Sequence, residues 1–389
     1  MAKRKTVESC GGLIEFLRET NSISWKKYHN GRTCYEAYIE IKKNLCDTIT
    51  ETEKGAMAVE VGEILNQFKE QIAEIMNDPD EKDSDEKIHR ILSEDPIIFL
   101  NNHGHEHINQ VINRAGAMVE KFNGEPLSEF EVFVLLCAIE IHDIGNILGR
   151  AGHEKKLQHI FDEHVRDIIP DTAERRLIKN VAMAHGGKTI SGSKDTISPL
   201  SPEEMIFDNR VRTRLLAAIL RFADELADDS TRKSRASLEL GIIGTNSKIY
   251  QDYSRVLHTV YIEKDDKNNC LVRLVYELEV ADLKEIYEVG HSERYLLDEI
   301  YDRTLKMERE RRYCSKFMRG NLNIEKIVVN INIYGNFSLK VDAITYTLED
   351  IGYPCEPISG NIKEVAGIAI RNGKEELEYA IGRDVISNG

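Results

Sequence analysis

A histidine followed directly by an aspartate, His142-Asp143, closes the apolar run EVFVLLCAIEIHDIGN. At the end of a helix that pair puts an imidazole and a carboxylate within reach of one metal ion. Around it stand NNHGHEHINQV with His103, His105 and His107, GRAGHEK with His153, AMAHGGK with His185 and LRFADELADDS with Asp224. The ordered series, and no single member, carries the reading. Imidazole and carboxylate donors suit Mn, Fe, Co, Ni, Zn or Mg and do not make a thiolate site. Asp143 has two oxygens and can bridge two ions, which a single-donor imidazole cannot do. Two ions about 3.5 to 4 Å apart that share a hydroxide form an arrangement for in-line attack on phosphorus. His103 and His107 are four residues apart, so on a helix they share a face, with His107 on the metal and His103 toward a leaving group.

This order of H, HD, further H and a distal D resembles the HD superfamily of metal-dependent phosphohydrolases, over about residues 95 to 235. HGHEHINQV is similar to the opening motif of that superfamily, and in its cyclic nucleotide phosphodiesterase branch the resemblance makes His103 a general acid. It implies that His107, His142, Asp143 and Asp224 hold one ion, and that His153 and His185 hold a second with Asp143 bridging. His159 or His164 replaces either of the last two histidines if the helix phase differs. His105 reads as a supporting or solvent-facing residue. No adjacent His-His pair follows, which disfavours the cyclic di-GMP branch. The layout also looks similar to HD modules of bacterial conflict and antiviral systems.

Phosphate contacts are expected from Arg150, Lys188, Arg221 and Arg232, since guanidinium groups suit bidentate phosphate binding. Arg221 stands three residues before Asp224 and has a second reading, that of orienting the carboxylate. Asp228 and Asp229 read equally well as ribose or cation ligands and as a solvated helix end.

The elements that must position these groups read as helices. One runs from His105 to about Phe122. The next begins with a capping box, Ser128 with Glu131, and a Leu127–Val132 staple, and ends at His142-Asp143 before Gly145. Others cover His153 to Ile169, Ala173 to His185 with Gly186-Gly187 as the stop, and Asp208 to Asp229; Lys188 to Pro202 is a loop over the site. Residues 1–90 form an N-terminal helical region that packs on this core, with NDPDEKDSDEK as an exposed loop. Trp25, Tyr28 and His29 read as a buried aromatic cluster, with a ligand pocket as the rival. After about Ala236 the period changes to two. RVLHTVYIEK and CLVRLVYELE form a hairpin, a helix spans Glu293 to Met318 with Arg311 interrupting its seam, and KIVVNINIY is a strand. A helix follows at about Leu339 to Glu349, with GIAI near 367 as a further strand. The expected fold is mainly α: an all-helical HD-type core over 91–236 with a C-terminal α+β region over 237–389.

The chain of 389 residues carries a net charge of −15, which argues against broad binding to a nucleic-acid backbone and leaves small phosphorylated ligands. The longest apolar run, Val132 to Ile139, is far short of the roughly 20 residues that span a bilayer. Neither a signal peptide nor a CxxC pair is apparent, so the expected compartment is the cytoplasm, with reduced thiols. The expected function is hydrolysis of a nucleotide or cyclic nucleotide phosphate ester through a metal-bridging hydroxide, with one or two divalent ions. The rivals are a nucleotide-sensing module with little turnover and an HD nuclease. A homo-oligomer is compatible with the sequence.

Overall fold

The computed structural model describes residues 5–45, 105–144, 161–189, 191–227, 245–289, 292–335 and 340–350. Its architecture is mixed α+β and mostly helical. The N-terminal part contributes α1 (Val7–Cys10), α2 (Leu13–Thr20) and a helical segment over residues 34–45, here α3. Then come α4 (His105–Glu120), α5 (Glu129–Ile141), α6 (Thr172–Met183) and α7 (Thr213–Glu225).

Helix α5 is the axis of the helical part. Every residue from Phe130 to Ile141 is buried, as a helix apolar on all sides must be, and α2, α4, α6 and α7 surround it. Its N-terminus is fixed as the sequence predicts: Ser128 Oγ accepts from Glu131 N–H, and the Glu131 carboxylate accepts from Ser128 N–H. The same carboxylate takes a fork from Arg212, with Nε and Nη2 each at 2.8 Å. The other buried carboxylate of α5, Glu140, accepts from Tyr38 Oη at 2.7 Å and pairs with Lys42 at 3.1 Å, which ties α3 to the axis. Trp25 stacks on Phe130 at 4.4 Å and His29 bonds Glu174 at 2.7 Å with both side chains buried, so the N-terminal aromatic residues form a packed cluster.

Several stretches depart from expectation. The helix expected from Asp208 begins at Thr213, because residues 204–211 form a hairpin of β1 (Glu204–Ile206) and β2 (Asn209–Val211). Its two-residue turn puts both Phe207 and Asp208 at positive φ, the geometry that matches the twist of paired strands. A helix α8 (Thr245–Val256) precedes the strands, burying Ile249, Tyr253 and Val256 at steps of four and three. The stretch expected to be helical from Leu339 is a strand, β8 (Lys340–Glu349). Ile344, Tyr346 and Leu348 alternate with the more exposed Thr345, Thr347 and Glu349, and β-branched residues favour that state.

The expected hairpin is present as β3 (Leu257–Lys264) and β4 (Cys270–Glu279). After α9 (Val280–Lys284), β5 (Ile286–Val289) pairs with β6 (Ser292–Tyr295), so α10 (Leu296–Met318) starts three residues later than its expected start at Glu293. Strand β7 (Ile324–Tyr334) then lies parallel to β4, and β8 pairs antiparallel to β7, giving the order β3-β4-β7-β8. Parallel pairing requires a crossover, and α10 supplies most of it. One face of α10 packs on the sheet, where Tyr301 meets Tyr346 and Thr304 Oγ1 lies 2.9 Å from Tyr346 Oη. Its expected apolar seam, Leu297, Ile300, Thr304, Met307, Cys314 and Met318, is buried throughout. Arg311 sits in that seam with Glu308 forked on it and its Nη1 donating to Ile324 O. Helix α10 also packs along α7, joining the sheet to the helical part.

Among the described residues no helix is long and apolar enough to cross a membrane. The thiols of Cys34, Cys137, Cys270 and Cys314 are free and buried, and Cys10 is free and half-buried.

Candidate metal centre

Four helices bring their ends or faces to one point. His107 comes from the first turn of α4, His142 and Asp143 from the C-terminus of α5, His185 from just beyond α6, and Asp224 from the last turn of α7. The donor atoms of His107, His142, Asp143 and Asp224 all lie within 4.8 Å of one another. His107 Nε2 is 3.2 Å from Asp224 Oδ1 and 3.7 Å from Asp143 Oδ2. His142 Nε2 is 3.6 Å from Asp224 Oδ1 and 3.5 Å from Asp143 Oδ2. Two ligands each about 2.0 to 2.2 Å from one ion stand roughly 3 to 3.6 Å apart, so this spacing fits a cluster that could hold a divalent metal.

Asp143 has a second neighbour. Its Oδ1 lies 3.6 Å from His185 Nε2, and the His185 ring stands edge-on to that of His142 with centroids 4.9 Å apart.

Both helix-end histidines are oriented by their own backbone. His142 Nδ1 is 2.7 Å from Ile139 O, and His185 Nδ1 is 2.5 Å from Ala182 O. A carbonyl only accepts, so in each ring Nδ1 carries the hydrogen. In the neutral imidazole the lone pair is then on Nε2, the atom aimed at Asp143. The last turn of a helix has carbonyls without intrahelical partners, and here they serve as the orienting groups.

The electrostatics are those of a site that attracts cations. Burial works to lower the His142 imidazole, but Asp143 and Asp224 outweigh it and push it up to about 9. Burial works to raise the Asp224 carboxyl, but His107 and His142 outweigh it and hold it well below the usual carboxylate range. The side chains of His107 and His142 are 0% exposed, whereas Asp143, Asp224 and His185 are 12%, 22% and 10% exposed. The site therefore opens to solvent past its carboxylates and His185.

Of the other residues singled out in the sequence, His103, Arg150, His153, His159, Asp228, Asp229 and Arg232 lie outside the described residues, as does the GIAI segment. His105 is described in backbone only. His164 does not join the described cluster, and Lys188 is exposed beyond His185. Arg221 is turned away from the cluster: Nε and Nη2 fork onto Glu310 of α10 at 2.7 and 2.9 Å, and Nη1 donates to Thr196 Oγ1 and Lys194 O. The contacts of Glu310 and Tyr313 with Arg221 have no sequence signal, because no spacing within α10 marks which of its residues meet α7.

The HD-CE family model matches residues 85–306, more than half of the chain. The chain belongs to the HD-CE family. This is an HD-type domain, in agreement with the resemblance read from the ligand series. The HD-CE match takes in all five clustered side chains and continues through β3, β4 and the first half of α10. No curated protein and no solved structure matches the chain.

Proposed function

We propose that the protein is a metal-dependent phosphohydrolase that cleaves a nucleotide or cyclic nucleotide phosphate ester. The observation that carries the reading is the division of Asp143, with Oδ2 toward His107 and His142 and Oδ1 toward His185. Divalent ions held there would lower the pKa of a water molecule and offset the charge that develops on phosphorus. His107 and His142 present Nε2 donors from buried positions, and Asp224 closes the same group with an oxygen. His153 is assigned beside His185 as a further ligand. His103 is assigned the proton that passes to the leaving oxygen as the ester P–O bond breaks and a water oxygen bonds to phosphorus. Arg150, Lys188 and Arg232 are assigned to phosphate contact, while Arg221 is committed to Glu310 and is withdrawn from that role. The ligand is a small phosphorylated nucleotide, because a chain of net charge −15 is poorly suited to follow a nucleic-acid backbone.

A second reading is favoured by the docking of α10 on α7, where Arg221 meets Glu310 and Lys306 meets Glu225 at 2.8 Å. A ligand that shifts the metal-bearing helix would be felt by the sheet, as expected of a sensing module with little turnover.

The test is a panel of nucleoside mono- and triphosphates, cyclic mono- and dinucleotides, guanosine tetraphosphate and short single-stranded DNA, incubated with Mn and either native protein or an Asp143→Ala variant. Hydrolysis of one nucleotide class by the native chain alone is the expected result. Equal turnover by Asp143→Ala would sink the mechanism. Ligand-dependent change in oligomeric state without turnover would replace it with the sensing reading, and cleavage of DNA alone with a nuclease.

A further inference from the structure

His185 stands just beyond α6, where its Nδ1 lies 2.5 Å from the Ala182 carbonyl of that helix. The chain that leaves it is held from outside. Thr196 Oγ1 donates to Ala184 O at 2.7 Å, next to His185 in sequence, and accepts from Arg221 Nη1 at 2.8 Å. Arg221 Nη1 also donates to Lys194 O at 3.1 Å, and its remaining nitrogens are forked on Glu310. Three residues further along α10, Tyr313 Oη donates to Asp195 Oδ1 at 2.6 Å and accepts from Ile197 N–H at 3.0 Å. The Tyr313 ring lies 4.6 Å from the Arg221 guanidinium. Residues 194–197 are thus gripped at successive positions by two side chains that belong to α7 and α10.

Arg221 is one turn before Asp224 on α7. One helix therefore carries a ligand of the metal centre directly and, through its arginine, holds the chain that carries His185. We propose that Glu310 and Tyr313 are positioning residues of the metal centre, acting through Arg221 and Thr196 to set His185 against Asp143. The α+β region is on this account a working part of the site. The inference rests on the metal-centre reading given above, and its test separates the two.

The experiment uses the full chain with Glu310→Gln, Tyr313→Phe and Thr196→Val, each of which removes a charge or hydroxyl and keeps the shape. Imidazole carbon–proton resonances are recorded on metal-free protein, with His185 assigned by His185→Gln. The expected result is that the His185 signal shifts or broadens in all three variants. The signal of His29, buried against Glu174 and outside the relay, stays in place. An unchanged His185 signal in the three variants overturns the proposal. Titration with Mn then reads the consequence, an apparent affinity for an ion beside His185 lowered roughly 10-fold relative to native, as for the loss of groups that orient a ligand. A native chain that takes up no Mn would defeat the metal reading, while the imidazole spectra still decide the positioning.

Discussion

Asp143 and His185 approach through Oδ1 and Nε2 at 3.6 Å, while the other oxygen of Asp143 faces His107 and His142. The two oxygens of the carboxylate thus have different imidazole neighbours, and substitution can test them one at a time. His107→Gln should remove the ion that His107, His142, Asp143 and Asp224 would share, whereas His185→Gln should leave it. Elemental analysis of the two dialysed variants checks this. Full metal loss in His185→Gln, with His107→Gln loaded as native, would reverse the assignment.

The buried fork between Glu131 and Arg212 should govern part of the acid stability. Burial works to raise the Glu131 carboxyl, but Arg212 and the Ser128 N–H outweigh it, so its folded value lies below the ordinary one. A carboxyl lowered in the folded state contributes stability above its unfolded pKa and loses it as pH falls through the folded value. Glu131→Gln should then cost about 3 kcal/mol at pH 7, since the buried Arg212 keeps only the exposed Glu125 at 3.8 Å as a carboxylate partner. The gap from native should narrow as pH falls below the ordinary carboxylate range. Urea unfolding at both pH values measures it.

Ser128→Ala should cost about 1 kcal/mol by removing the cap of α5. Because α5 ends in His142-Asp143, the loss of its first turn tests whether the axis is rigid: metal uptake should be unchanged while the urea midpoint falls.

Burial pushes the thiols of Cys34, Cys137 and Cys314 up. None should react with a thiol reagent at pH 8 in the native chain, and all should react in urea. Mass spectrometry of labelled peptides would expose an error in the packing of α5 or α10 if any of the three is modified without denaturant.

Much of the His/Asp cluster was legible because its members sit at marked places. Ser128 and Glu131 announce the start of α5, and the glycines after His142 and His185 announce helix ends whose carbonyls orient the rings. Asp224 follows an apolar periodicity that remained valid although α7 begins at Thr213. The hairpin before α7 was hidden by its turn, Phe207-Asp208, which lacks the glycine that usually signals positive φ. Strand β8 was misread although Ile344, Tyr346 and Leu348 alternate; its identity depends on pairing with β7, a long-range relation. The role of Arg221 was illegible for the same reason. Its partner Glu310 is 89 residues away, and only the docking of α10 on α7 brings this arginine to Glu310 and Thr196.

The most direct test of the central claim is calorimetric titration of metal-free protein with Mn, comparing the native chain with a His142→Ala, Asp143→Ala double variant of unchanged circular dichroism. Saturable uptake of at least one ion per native chain, and none by the double variant, is the expected result. Equal uptake by the two proteins would contradict the assignment of His142 and Asp143 to a metal centre.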